Sequence, residues 1–214
     1  MKMAMRDEDS LIDINGKMMG DKHITDLANT VVAKQRKLEI LNAKMNNIGP
    51  KGAASIAKLI SNIGTLEQVL LNRNRIQDEG TVRIASAIGA LKSGSCLRML
   101  RLSYNSIGDA GASALANAVK GSSISSLQLS MNRITDVGAI ELFKALPSMK
   151  SIKSFYLNGN IGITDLSIGC LADTLPLNVS IRLVRLDDCS ITSKGVQILH
   201  NAVLENSKCG GMLS

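Results

Sequence analysis

Across residues 97–119, LRMLRLSYNSIGDAGASALANAV, apolar positions first alternate at period two, at Leu100 and Leu102, and then change to a helical spacing. The alternation predicts a short strand with one buried face. Downstream of Gly111, Leu115, Ala116, Ala118 and Val119 fall four, five, seven and eight positions on, which is one apolar stripe of a helix. A polar turn centred on Asn105 separates the two. The same pattern recurs on both sides. Aligned on the turn position, the units fall at Lys17, Asn46, Asn74, Asn105, Asn132, Asn160 and Cys189, at spacings of 29, 28, 31, 27, 28 and 29 residues.

A period of this size predicts a solenoid, because a lone strand–turn–helix unit cannot bury either apolar face and must stack on copies of itself. The first unit is the most worn, with Lys17 for Asn, Met19 for Ile and His23 where Gly is usual, as expected of a cap. Pro50 sits at the mouth of the second helix, where a missing N–H costs little. Residues 92–95, a polar insertion, account for the spacing of 31. Stacking predicts an α/β architecture with one parallel sheet on the inner, concave side and the wider helices outside, so that the sheet curves. The amides of Asn46, Asn74, Asn105, Asn132 and Asn160, with Cys189 in the last place, are expected to form a structural ladder that satisfies backbone groups where each strand ends. No linker interrupts the series. One domain is expected over 1–214, with seven repeats filling 9–207 and residues 208–214 as a loose end.

Written as a consensus the units read LxxLxLxxNxIxxxGAxxLAxxL, which resembles the leucine-rich repeat of the ribonuclease-inhibitor type. The resemblance implies a right-handed βα superhelix in the shape of a horseshoe, tolerance of Cys at the Asn position, and a non-enzymatic role as a protein-interaction module or scaffold. The repeat is also similar to that of the Ran GTPase activators, although those carry more repeats and an acidic tail. Similar repeats occur in innate-immune receptors and in proteins that pathogens inject into hosts. A Ran-type GTPase-activating protein and a recognition or effector fragment are therefore the alternatives.

Composition narrows the chemistry. The formal charge is +7, the aromatics are Phe143, Phe155, Tyr104 and Tyr156, and there is no Trp. Four cysteines lie far apart with no CxxC pair or zinc spacing, which suits reduced thiols in the cytoplasm. The first ten residues are too polar for a signal peptide, and no run approaches the ~18 apolar residues of a membrane span. No phosphate loop, HExxH, GxSxG or EF-hand loop occurs. His23 and His200 have no partners in sequence, and Asp187 and Asp188, as strand neighbours, would point to opposite sides. No catalytic set, cofactor or metal is expected. The glycines of IGDAG and IGPKG recur as the turn into each helix and are given a structural reading.

Function then falls to the surface. The third, fifth and seventh positions of each unit should face outward on the concave sheet. Among them the charges are Lys44, Arg101 and Arg185 against Asp13 and Asp187. The helix cations, such as Lys58, Lys120, Lys144 and Lys150, are dispersed. Nucleic acid is disfavoured, because it calls for a continuous basic stripe with stacking aromatics. A protein partner is expected on repeats three to seven, at Leu70, Met99, Arg101, Gln128, Tyr156, Leu183 and Arg185, joined near the turns by Arg73, Tyr104 and Met131. Tyr and Arg favour such a role because they combine area with directed hydrogen bonds. Oligomeric state is left open by the sequence.

Overall fold

The computed structural model describes residues 10–91 and 94–208. Each unit contributes one three-residue strand and one helix. The strands are β1 (Leu11–Asp13), β2 (Ile40–Asn42), β3 (Gln68–Leu70), β4 (Met99–Arg101), β5 (Ser126–Gln128), β6 (Ser154–Tyr156) and β7 (Leu183–Arg185). The helices are α1 (Asp21–Ala33), α2 (Pro50–Asn62), α3 (Gln77–Gly89), α4 (Asp109–Ala118), α5 (Asp136–Ala145), α6 (Asp165–Thr174) and α7 (Ser193–Lys208). The strands pair in parallel and in chain order, β1 through β7, to line the concave side of a solenoid. Register is strict: Leu41, Val69, Leu100, Leu127, Phe155 and Val184 stand side by side.

That row, with the next apolar row at Ala43, Leu71, Leu102, Leu129 and Leu157, fills the space between sheet and helices. The helices close it from outside with residues such as Ile56, Ile84, Leu115, Leu142 and Ile168, all fully buried. Phe143 and Phe155 are the largest buried side chains. Two short 3-10 turns, Leu146–Ser148 and Leu175–Leu177, follow α5 and α6, a detail the periodicity does not announce. Both contain Pro, which cannot donate the N–H needed to continue the α-helix. Lys208, expected in the loose end, is the last residue of α7; residues 209–214 lie outside the described residues.

Two side-chain ladders stitch the units. In the first, Asn132 donates its amide to the carbonyls of Leu129 in its own repeat and Leu102 in the preceding one, at 2.9 and 3.1 Å. Its Oδ1 accepts from the N–H groups of Asn105 and Ile107, both in the preceding repeat, at 2.9 and 3.0 Å. Asn74 makes the same set, from Leu71 and Ala43 carbonyls to the Asn46 and Ile48 N–H groups. Every one of the five ladder asparagines is buried. The desolvation of a buried amide is offset when all its partners are supplied, and the backbone groups it serves would otherwise be orphaned. At the last repeat Cys189 offers only a thiol, 3.5 Å from the Leu157 carbonyl, and burial pushes its pKa up so that it stays a weak donor.

The second ladder runs along the helix starts. The first-turn aspartate of one helix reaches forward into the loop of the next repeat. Asp109 takes the Thr135 N–H and hydroxyl at 2.8 and 2.7 Å and the Gly138 N–H at 3.0 Å. Asp136 does the same for Thr164, and Asp165 for Thr192. Asp78 serves the N–H groups of Gly108 and Gly111, and Asp21 that of Gly49. The second glycine of IGPKG and IGDAG is therefore not a turn residue, as the sequence suggested. Gly52 and Gly111 lie inside the first helical turn, where a Cβ would come within 2.6 and 2.7 Å of the preceding repeat's carboxylate. The aspartate occupies the space a side chain would need.

This packing makes opposite predictions for two helical glycines. Gly111→Ala should destabilise by ~1–3 kcal/mol, because overpacking against Asp78 outweighs the helix-propensity gain of about 1 kcal/mol. Gly169→Ala, inside α6 with no atom within 4 Å of the new Cβ, should stabilise by up to ~1 kcal/mol. Urea melts of the two variants check the signs.

Asp136 generates a second prediction. Burial raises its pKa, but the hydroxyl and N–H bonds from Thr164 and Ser167 outweigh burial and hold the carboxyl below its usual value of 3.8. A group depressed in the folded state stabilises above its unfolded pKa and loses that contribution as pH falls through the folded value. The stability gap between the wild type and Asp136→Asn should be full at neutral pH and shrink as pH drops below about 4. Denaturant melts at both pH values measure it, and a gap that grows in acid contradicts the assignment.

Candidate protein-binding surface

The concave face is not uniformly open. Its flanks are exposed, with Leu11 at 48% and Leu183 at 40%, while the middle strands hold their outward residues half-buried. Met99, Arg101, Gln128 and Tyr156 are of this second kind. Leu70 departs from expectation: it occupies an outward position yet is buried, 8% exposed, between Asn42 and Arg101 on the adjoining strands. Flanked in register by these two side chains, it offers little area of its own on the bare face. Ser103, also expected outward, is 6% exposed. At the far end Arg185 reaches Asp187 at 3.3 Å, which pairs the two charges at the outward positions of the last repeat.

Main-chain pairing continues beyond each strand. The N–H groups of Gly16, Met45, Arg73, Tyr104, Met131 and Gly159 each bond the carbonyl of the next repeat, at Lys44, Asn72, Ser103, Ser130, Asn158 and Asp187. In all seven repeats this residue, one before the ladder position, has positive φ, from 53° at Met131 to 74° at Gly159. The left-handed conformation costs a non-glycine residue roughly 1–2 kcal/mol. Here the backbone bonds of the turn enforce it, and the outcome is a row of side chains on the rim where the strands end.

The row is exposed and chemically varied. Met45, Tyr104 and Met131 are 54, 40 and 39% exposed, and the Arg73 guanidinium lies over the Tyr104 ring, 4.4 Å from its centroid. That cation–π contact fixes both side chains relative to each other. Met131 leans across Gly159, whose missing side chain leaves room for its sulfur. Arg73, Tyr104 and Met131 were found in the sequence, but the shared conformation behind the rim was not. The one available signal is that two of the seven residues at this position are Gly.

His23 and His200 are both exposed. Asp187 and Asp188, exposed as well, lie beyond β7, where Asp188 takes the left-handed turn conformation. Among the described residues no helix is long and apolar enough to cross a membrane.

The comparisons agree with this architecture. A model of the leucine-rich repeat matches residues 34–57, 95–116 and 122–143, which are repeats two, four and five. No curated protein matches the chain at a significant level. Among solved structures, the actin-binding site 2 of leiomodin-1 is similar at TM-score 0.59 and 19% identity over 74% of this chain and 90% of that one. The tropomodulin C-terminal domain of Caenorhabditis elegans is similar at TM-score 0.59 and 16% identity, covering 73% and 94%. An internalin of Listeria monocytogenes is similar at 0.53 and 19% over 82% of this chain, which spans 48% of that protein. At these identities the likeness is one of fold. Seven units of one build, three of them matched by the repeat's own model, give the chain the fold of a leucine-rich repeat solenoid.

Proposed function

We propose that this chain is a non-enzymatic interaction module or assembly subunit that holds a protein partner on its concave sheet and the adjoining turn rim. The observation that carries the reading is the rim row itself. Arg73, Tyr104 and Met131 are presented side by side on a hydrogen-bonded frame, with Arg101, Gln128 and Tyr156 beside them on the sheet. Such a frame holds its anchors before the partner arrives, so less side-chain entropy is lost on association. Tyr and Arg are the residue types that dominate binding energy at protein interfaces. The leiomodin-1 fragment of similar fold is an actin-binding site, which makes actin a reasonable first partner to try, on grounds of fold alone.

The test is affinity capture from the native cell on the immobilised chain, repeated with Arg101→Glu combined with Tyr156→Ala. The reading predicts that the captured partner falls at least tenfold on the double variant and is unchanged on Lys144→Glu, an exposed helix position. A double variant that retains every partner at the wild-type level contradicts it.

A further inference from the structure

Counting charge by outward strand positions spreads the cations thinly, but the rim changes the tally. Lys44 and Arg101 on the sheet lie beside Arg73, Arg75 and Arg133 on the turns of repeats three and five. No acidic residue shares the outward or rim positions of repeats two to five. Asp13 of repeat one, in register with Asn42, accepts its amide at 3.1 Å at the edge of the patch, and the acids nearest in sequence are committed elsewhere. Asp78 and Asp109 bind the loop backbone of the following repeat. Glu39 and Glu67 precede their strands, at the opposite edge of the sheet, where Glu39 pairs with Lys37. None of the five cations has a carboxylate partner among the described residues.

Beside this patch lie polar atoms with no partner in the chain. The Oδ1 atoms of Asn42 and Asn72 and the Nε of Arg101 are all buried without a hydrogen bond. They belong to neighbouring repeats and lie beneath the surface, covered from a ligand, with Leu70 between Asn42 and Arg101. The combination is specific. Guanidinium groups suit carboxylates, which they can bind through two parallel bonds, and the exposed Tyr104 and Met131 beside them offer apolar contact. A chain carrying both carboxylates and apolar side chains is a polypeptide.

We propose that repeats two to five hold an acidic, extended peptide segment of the partner, laid across the strands. This rests on the interaction reading above and names the chemistry of what is bound. Carboxylates of the segment meet Arg73, Arg75, Arg101, Arg133 and Lys44. Its apolar side chains lie against Met99, Tyr104 and Met131. Three inter-strand steps of about 4.8 Å give a site of about 14 Å, the reach of four or five extended residues. A nucleic-acid strand fits less well. The one exposed aromatic of the patch, Tyr104, already has a cation over its ring, and Met131 beside it offers no stacking plane.

Fluorescence anisotropy with three labelled ten-residue probes tests this: an Asp/Glu-rich peptide, the same peptide with Asn and Gln, and an oligouridine. The acidic peptide should bind at least tenfold more tightly than either other probe, and weaken severalfold between low and moderate salt. Arg73→Glu with Arg133→Glu, both exposed and neither in the core, should lose at least tenfold. Lys120→Glu with Lys150→Glu changes net charge equally on other faces and should lose less than twofold. Oligouridine binding as tightly as the acidic peptide overturns the proposal, as do equal losses in the two charge-reversed variants. A partner captured from cells that is retained by the Arg73→Glu, Arg133→Glu variant but lost on Tyr156→Ala with Leu183→Ala overturns it too, and leaves the broader interaction reading standing. A partner retained by both variants removes both.

Discussion

The side chains that define each repeat mainly serve a different repeat. The Oδ1 of Asn132 satisfies the N–H groups of Asn105 and Ile107, both in the unit before it, and Asp109 satisfies Thr135 and Gly138 in the unit after it. A unit taken alone would therefore leave buried donors without acceptors at both ends of its turn. Burying an unsatisfied polar group costs about 1–3 kcal/mol, so the hydrogen bonds enforce stacking as firmly as the apolar faces do. Stability in such an array is a sum of unit and neighbour terms, and the two ladders place much of the specific part in the neighbour terms. Direction follows as well: the amide oxygen faces backward along the chain and the aspartate forward, which fixes order and register together.

The surface is a consequence of the same frame. Because main-chain pairing continues past the strands, the residue before each ladder position is forced into the left-handed region and its side chain is turned onto the rim. A row of unrelated side chains, Met45, Arg73, Tyr104 and Met131, is thereby displayed with regular spacing. The frame is invariant while the displayed chemistry is free to differ from one repeat to the next. Cations gather in repeats two to five, and the last repeat pairs its arginine with Asp187. Specificity is written on residues that the fold itself does not use.

The seven turns, the strand positions and the concave sheet were legible in the sequence because they depend on apolar periodicity, which survives even in the worn first unit. Three things were not. The role of Gly111 needs knowledge of a carboxylate 33 residues earlier, at Asp78, and no local pattern shows that contact. Leu70 reads as outward by period two, and only its flanking neighbours Asn42 and Arg101, brought alongside by register, reveal that it is covered. The grouping of Lys44, Arg73, Arg75, Arg101 and Arg133 mixes strand and turn positions of four repeats, so charges counted on the strand positions alone dilute it. Each of these three is a contact between repeats, while each success is a regularity within one.

The most direct measurement of the central claim is residue-resolved hydrogen exchange on the wild type and Asn132→Ala. If side chains of one repeat satisfy the backbone of its neighbour, the N–H groups of Asn105 and Ile107 are strongly protected in the wild type. In the variant they lose that protection first, while the ladder bonds at Asn74 stay slow. Fast exchange at Asn105 and Ile107 in the wild type, or a loss in the variant confined to residues of repeat five, contradicts the account.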